Sequence, residues 1–164
     1  MQNGEYTSLS LHIDLSETLA IREAIIRQTA KVYAPDLFIV DKEPLGLHGE
    51  VRNTLYDLKS RGVRTVLGLR DVLDDKATLM DEWVKKQVFP NIDTLYDELW
   101  IYGVREFYQP LKGLPLEASV GKKTVYTGYL KRLPENIVDE DVDLPGPYLL
   151  VTPGGGRDGR ELVE

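Results

Sequence analysis

Short apolar runs recur between stretches of helical periodicity, and that alternation narrows the fold class more than any other property of the chain. Leu37-Phe38-Ile39-Val40, Thr65-Val66-Leu67-Gly68 and Leu99-Trp100-Ile101-Tyr102-Gly103 are short and apolar on both sides, which suits strands covered on both faces, as in a parallel sheet. Thr124 to Tyr126 adds a fourth predicted strand. The first helix is expected from Ser16 as N-cap, with Glu17 complementing the dipole. Its Ile21, Ile25 and Val32, with Leu19, Ile26 and Tyr33 beside them, form one apolar face. Arg22 falls inside that face, its stem packed and its head reaching solvent or a partner. Ala34-Pro35-Asp36 ends the helix, because the residue before Pro is biased away from the α region. A second helix carries Val51, Leu55 and Leu58 on one stripe and ends near Gly62. A third, Lys76 to Gln87, turns Leu79, Met80 and Trp83 inward. Strands alternating with helices through short loops predict an α/β fold built on βαβ units.

Composition removes several classes of function. The 164 residues suffice for one ordinary domain with a core, and 42% hydrophobic with 29% charged residues is a soluble, globular balance. A net charge of −7 without a basic run argues against nucleic acid as a partner. The chain has no Cys, which excludes disulfides and thiolate metal sites and fits a cytoplasmic protein. His12 and His48 are too far apart in sequence to suggest a histidine-rich metal site. The first residues have neither a basic start nor an apolar core, so they do not read as a signal peptide. The longest apolar runs are about five residues, far short of a bilayer of roughly 30 Å.

The organisation changes after residue 130. Residues 131–147 contain three Pro and the acidic run Asp139-Glu140-Asp141, and read as a linker. Residues 148–164 then open a new unit. Tyr148-Leu149-Leu150-Val151-Thr152 is a predicted strand, Pro153 to Gly159 a glycine-rich loop, and Arg160 onward a helix start. Residues 1–130 form the first domain in this reading, and Tyr6 to Leu15 read as a loop entering a domain already under way. The expectation is an internal piece of a longer protein.

Chemistry-bearing residues gather where each strand ends. Asp41, Lys42 and Glu43 follow the first, Arg70 and Asp71 the second, and Tyr102-Gly103 closes the third. In open parallel sheets ligands bind outside the carboxyl ends of the strands. Mixed charges there can bind sugar hydroxyls, or supply a general base where a carboxylate pKa is raised. The competing reading is a network of ion pairs tying loops together, and Arg70 is expected to bridge to Asp41, Glu43 or Asp71. Gly154, Gly155 and Gly156, after a strand and before a helix, offer backbone N–H groups to a diphosphate. The loop lacks both the Gly-Lys-Ser/Thr ending of a P-loop and the G-x-G-x-x-G dinucleotide pattern. Trp83 and Trp100 read as core or domain-interface aromatics, His48 as a surface residue, and the acids between Asp139 and Asp143 as solvated.

Phe38-Ile39-Val40-Asp41-Lys42-Glu43-Pro44-Leu45-Gly46, Thr65-Val66-Leu67-Gly68-Leu69-Arg70-Asp71-Val72-Leu73-Asp74, and then Tyr96 to Gly103, Tyr126 to Leu130 and Val151 to Gly156 together resemble a family of predicted bacterial glycosyltransferases. These are distant relatives of the peptidoglycan N-acetylglucosaminyltransferase (MurG-like), and the resemblance covers nearly the whole chain. It implies a GT-B fold of two facing Rossmann-like domains. Residues 1–130 would be part of the acceptor-side domain, and Gly154, Gly155 and Gly156 the diphosphate loop of the donor-side domain. It implies transfer of a sugar from a nucleotide-diphosphate donor to an unknown acceptor, with inversion and with no metal or cofactor. For a longer parent protein it implies peripheral membrane association, and an uncovered sheet edge here invites self-association. By omission of the family's opening strand and most of its donor domain, this piece alone is expected to be inactive. The alternatives left open are a sugar-nucleotide epimerase or hydrolase of the same fold, and a module binding a glycan or a protein without turnover.

Overall fold

The computed structural model describes residues 14–130 and 146–147. The elements in chain order are α1 (Leu15–Tyr33), β1 (Leu37–Asp41), α2 (Arg52–Ser60), β2 (Arg64–Arg70), α3 (Lys76–Lys85), α4 (Val88–Leu95), β3 (Glu98–Tyr102), α5 (Ala118–Lys123) and β4 (Thr124–Tyr126). The chain divides into two units, Met1–Lys131 and Arg132–Glu164, and every described element belongs to the first. The predicted strand at Tyr148–Thr152, the glycine loop and nearly all of the linker lie outside the described residues.

The four strands are all parallel and lie in the order β1-β2-β3-β4, a Rossmann-like α/β sheet. Each connection steps one place in the same direction, so right-handed crossovers put their helices on the same face. Alternate strand residues on that face, Val40, Leu67, Leu69, Leu99 and Ile101, form the core with Leu55, Leu79, Trp83, Ile92 and Val120 from the helices. Trp83 meets Phe89 edge to face, ring centroids 5.6 Å apart, so this tryptophan is a core residue.

The other face carries Leu37, Ile39, Asp41, Val66, Gly68, Trp100, Tyr102 and Val125, by alternation and register. Leu37, Ile39 and Val125 are each more than 40% exposed. The expectation of strands covered on both faces holds for β2, whose Thr65, Val66, Leu67 and Leu69 are all buried, and is corrected for β1. An all-apolar run does not say which face its helices cover when the strand order never reverses.

Helix boundaries differ from expectation for local reasons. α1 starts two residues earlier than Ser16 would give, because Asp14 is its N-cap. The Asp14 carboxylate accepts from the Glu17 amide at 2.8 Å, and Glu17 accepts from the Asp14 amide at 3.3 Å, a reciprocal capping box. The predicted third helix, Lys76 to Gln87, ends at Lys85, and Gln87, with φ 55°, is the N-cap of a further helix, α4, that the sequence reading did not expect. Pro90 sits in the first turn of α4, where a missing N–H breaks no intrahelical bond.

The larger correction concerns which side of α1 is packed. Ile21, Ile25, Val32 and Tyr33 are 49%, 60%, 74% and 80% exposed, and Ala30 is the helix's one fully buried residue. α1 meets α2 through polar side chains instead: Arg27 donates to Asp57 at 2.6 Å, and Asn53 donates to Glu23 at 2.6 Å. Its apolar stripe borders a concavity of about 570 Å³ beside β1, lined also by Leu37 and Ile39. No described helix is long and apolar enough to cross a membrane.

Candidate functional site

The parallel register brings the predicted site segments to one edge. Asp41 pairs with Gly68, and Arg70 with Tyr102, so the ends of β1, β2 and β3 emerge side by side at the carboxyl edge of the sheet. Tyr102 lies across Gly68: a Cβ there would fall 2.0 Å from the tyrosine hydroxyl. A glycine in a central strand marks such a close approach. Burial, and then the negative charge of Asp41, push the Tyr102 phenol above its ordinary pKa. Tyr102 therefore stays a neutral donor beside an acceptor carboxylate, a pairing suited to hydroxylated ligands.

The loop after β1 is held on several sides. Lys42 adopts a left-handed φ of 64°, uncommon for a residue with a Cβ, while its amide continues the ladder to Gly68 O at 2.8 Å. That turn sends Glu43 to Lys86, whose ammonium donates to Glu43 at 2.9 Å and to Glu82 at 2.6 Å. Burial alone would lower the Lys86 pKa, but the hydrogen bonds to Glu82 and Glu43 outweigh it and the net shift is upward. Tyr96, fully buried, donates its hydroxyl to Pro44 O, and burial drives its phenol pKa far up.

Glu50 anchors the far end of that loop, and sequence reasoning did not single it out. It is 4% exposed, and its carboxylate accepts from the amides of His48 at 2.9 Å and Leu47 at 3.2 Å, with Arg22 at 3.4 Å. Burial alone would raise its pKa. The amides of His48, Glu50 and Leu47, and then Arg22, more than reverse this, leaving the carboxyl below the usual range. Gly46, at φ 84°, has no room for a Cβ, which would fall 2.6 Å from the Glu50 carboxylate. The available signal was a Glu next to Gly49 and two residues ahead of a helix. The expected reach of Arg22 to a partner is realised through this carboxylate.

The remaining predicted residues separate into two groups. Asp71 accepts from the Val72 amide at 2.9 Å and from the Tyr129 hydroxyl at 2.8 Å, tying the ends of β2 and β4. Gly103 lets it approach, since a Cβ there would meet the Asp71 Cβ at 2.4 Å. Arg70 is exposed, and no ion pair among the described residues involves it. The expected bridge to Asp41, Glu43 or Asp71 is thus corrected. Glu43 is held by Lys86 and Asp71 by Tyr129, while Arg70 extends into water at the end of its strand. Gly154, Gly155 and Gly156 lie outside the described residues. Among the described residues, no group of three or more His, Cys, Asp or Glu is placed to hold a metal ion.

Comparison with known proteins leaves the geometry to stand by itself: no family model matches the chain, and neither a curated protein nor a solved structure matches it.

Proposed function

We propose that this domain is the acceptor-binding part of a glycosyltransferase that moves a sugar from a nucleotide-diphosphate donor to a hydroxyl acceptor. The observation that carries the reading is the carboxyl edge, where Asp41, the Tyr102 phenol and Arg70 emerge together from parallel strands. In this role Asp41 accepts a hydrogen bond from the acceptor hydroxyl and is the candidate general base. Tyr102 orients that hydroxyl, and Arg70 offers a planar, multivalent donor to the sugar or to the leaving phosphate. The donor diphosphate is assigned to Gly154, Gly155 and Gly156 on sequence alone, through backbone N–H groups at a helix start.

The test is a transfer and hydrolysis assay with a panel of nucleotide-diphosphate sugars on the longer protein that the sequence reading expects, beside Asp41→Asn and Tyr102→Phe in it. Turnover should fall at least about a hundredfold in Asp41→Asn if it is the base, and less in Tyr102→Phe. Turnover unchanged in both variants would remove the edge from the chemistry.

A second reading has its own support. The edge acids Glu43 and Asp71 are already engaged by Lys86 and Tyr129, which suits a module that binds a glycan without turnover. Saturable sugar binding without any transfer by the longer protein would select it.

A further inference from the structure

Beyond the Asp41 edge, the segment between β3 and α5 builds two adjoining concavities, and we propose that they form a subsite for an anionic sugar. Naming the ligand a sugar rests on the glycosyl-transfer reading; the anion does not. The first concavity, about 290 Å³, is lined by Lys76, Arg105, Glu106, Phe107, Tyr108 and Lys112. The second, about 250 Å³, shares Arg105 and Lys112 and adds Leu114, Val120 and Tyr126. The cations therefore stand at the junction of a polar and a more apolar recess.

Two of these cations have a defined neighbour. The Arg105 guanidinium lies over the Tyr126 ring, 5.9 Å from its centroid, which fixes its direction. Lys76, at the start of α3, reaches Gly113 so closely that a Cβ there would lie 3.0 Å from its ammonium. Glu106 lines the first concavity and Glu117 the second, yet no ion pair among the described residues engages Lys76, Arg105 or Lys112. On a chain with 27 acids against 20 bases, three gathered cations without such a partner run against the overall sign. A phosphate, sulfate or carboxylate would complete their hydrogen bonding.

Phe107 is 76% and Tyr108 50% exposed in the same recess. Exposed aromatics beside cations suit a ligand with an apolar ring face and a charged substituent, as an acidic sugar has. The segment also follows a strand end, on the side of the sheet where open α/β folds take their ligands.

The experiment is an NMR titration of the full chain with glucose 6-phosphate, glucose 6-sulfate, glucuronate, uncharged glucose and inorganic phosphate. The anionic sugars should shift the Arg105, Phe107 and Lys112 amides saturably and more weakly as salt rises, while glucose should not. The arm that binds tightest tells phosphate, sulfate and carboxylate sources apart. The triple variant Lys76→Ala, Arg105→Ala, Lys112→Ala should weaken binding about tenfold or more. Phe107→Ala should weaken the sugar phosphate while leaving inorganic phosphate unchanged. Unaltered circular dichroism and melting temperature identify folded variants, and Lys112→Glu, a single exposed change, repeats the test if the triple variant unfolds. No saturation by about 10 mM, or equal binding by wild type and variants, overturns the subsite. Binding of inorganic phosphate with no gain from the sugar overturns its assignment to a sugar. Saturable binding by this chain, with no transfer by the longer protein, leaves the subsite standing and sinks the transferase reading alone.

Discussion

The middle of the sheet and its β1 edge are built from equally apolar sequence, yet they end in opposite environments. In β2 and β3, Val66, Leu67, Leu69, Leu99 and Ile101 are fully buried. In β1, Leu37 and Ile39 are nearly half exposed, and the neighbouring α1 leaves Ile21, Ile25, Val32 and Tyr33 largely uncovered. The difference lies in neighbours. β2 and β3 have a strand on each side and the α2, α4 and α5 layer over one face, whereas β1 has a strand on one side. Apolar content reports a capacity for burial, and strand order decides where that capacity is used. The site spans this contrast: Asp41 is the exposed end of edge strand β1, while Tyr102 lies over Gly68 in the middle of the sheet.

Core truncation should show the contrast at full strength. Leu99→Ala removes a fully buried side chain from β3 and should cost about 2–5 kcal/mol. Ile39→Ala, in an equally apolar run but 46% exposed, should cost well under about half of that. Urea unfolding of both variants checks the difference. Equal losses would mean that the two regions are packed alike.

A smaller effect is expected at Glu50, where polar burial takes the place of apolar burial. Glu50→Gln keeps the shape but weakens the bonds to the His48 and Leu47 amides and the attraction of Arg22, a loss of about 1–3 kcal/mol. The sign with pH follows from the lowered carboxyl pKa. The stabilisation is fully present above the unfolded value of about 4.3 and disappears as pH falls through the lower folded value. Wild type and Glu50→Gln should therefore differ at pH 7 and converge as the pH is taken below 4.3. A gap independent of pH would assign the loss to packing instead.

Lys86 should matter less, being about a quarter exposed. Lys86→Met breaks its bonds to Glu43 and Glu82 and should cost about 1 kcal/mol or less. Its raised pKa gives the opposite sign. That contribution is complete below the unfolded value of about 10.4 and is lost as pH rises through the folded one. Thermal melts at pH 7 and at strongly alkaline pH check it, and a difference that grows at high pH would contradict the assignment.

Strand positions were legible because short apolar runs between turn residues leave few alternatives, and the four predicted strands that fall among the described residues are present. The edge that gathers Asp41, Arg70 and Tyr102 followed from parallel pairing alone. The helix-covered face was not legible, because alternation places residues on two faces without saying which one receives the crossovers. α4 escaped notice because Pro90 looks like a breaker unless the helix is known to restart at Gln87. The roles of Glu50 and Gly68 depend on contacts with backbone amides and with a tyrosine two residues on in the next strand. Arg70 looked paired because acids surround it in sequence. In space Lys86 and Tyr129 reach Glu43 and Asp71 first, and no local pattern announces either.

The smallest effect is expected where sequence alone forecasts one of the largest. Ile25 lies in the middle of the apolar stripe of α1, the position that periodicity assigns to the core, yet it is 60% exposed. The helix is held instead by its Asp14–Glu17 capping box, by Arg27 on Asp57 and by Glu23 on Asn53, none of which involves Ile25. A charged head on a flexible stem can follow the surface there and keep its hydration. Ile25→Lys should thus change unfolding free energy by no more than about 0.5 kcal/mol, while also reducing any concentration-dependent association through the β1 edge. Ala30→Lys, one and a half turns further on at the buried contact with α2, is the control. It should cost several-fold more, because its cation would enter a close-packed position without a partner. Urea unfolding of the two variants, with sedimentation velocity at several concentrations, decides the matter. If Ile25→Lys proves as damaging as Ala30→Lys, the apolar stripe of α1 is covered in solution, and the contrast between a buried middle and an open edge fails on the side of the edge.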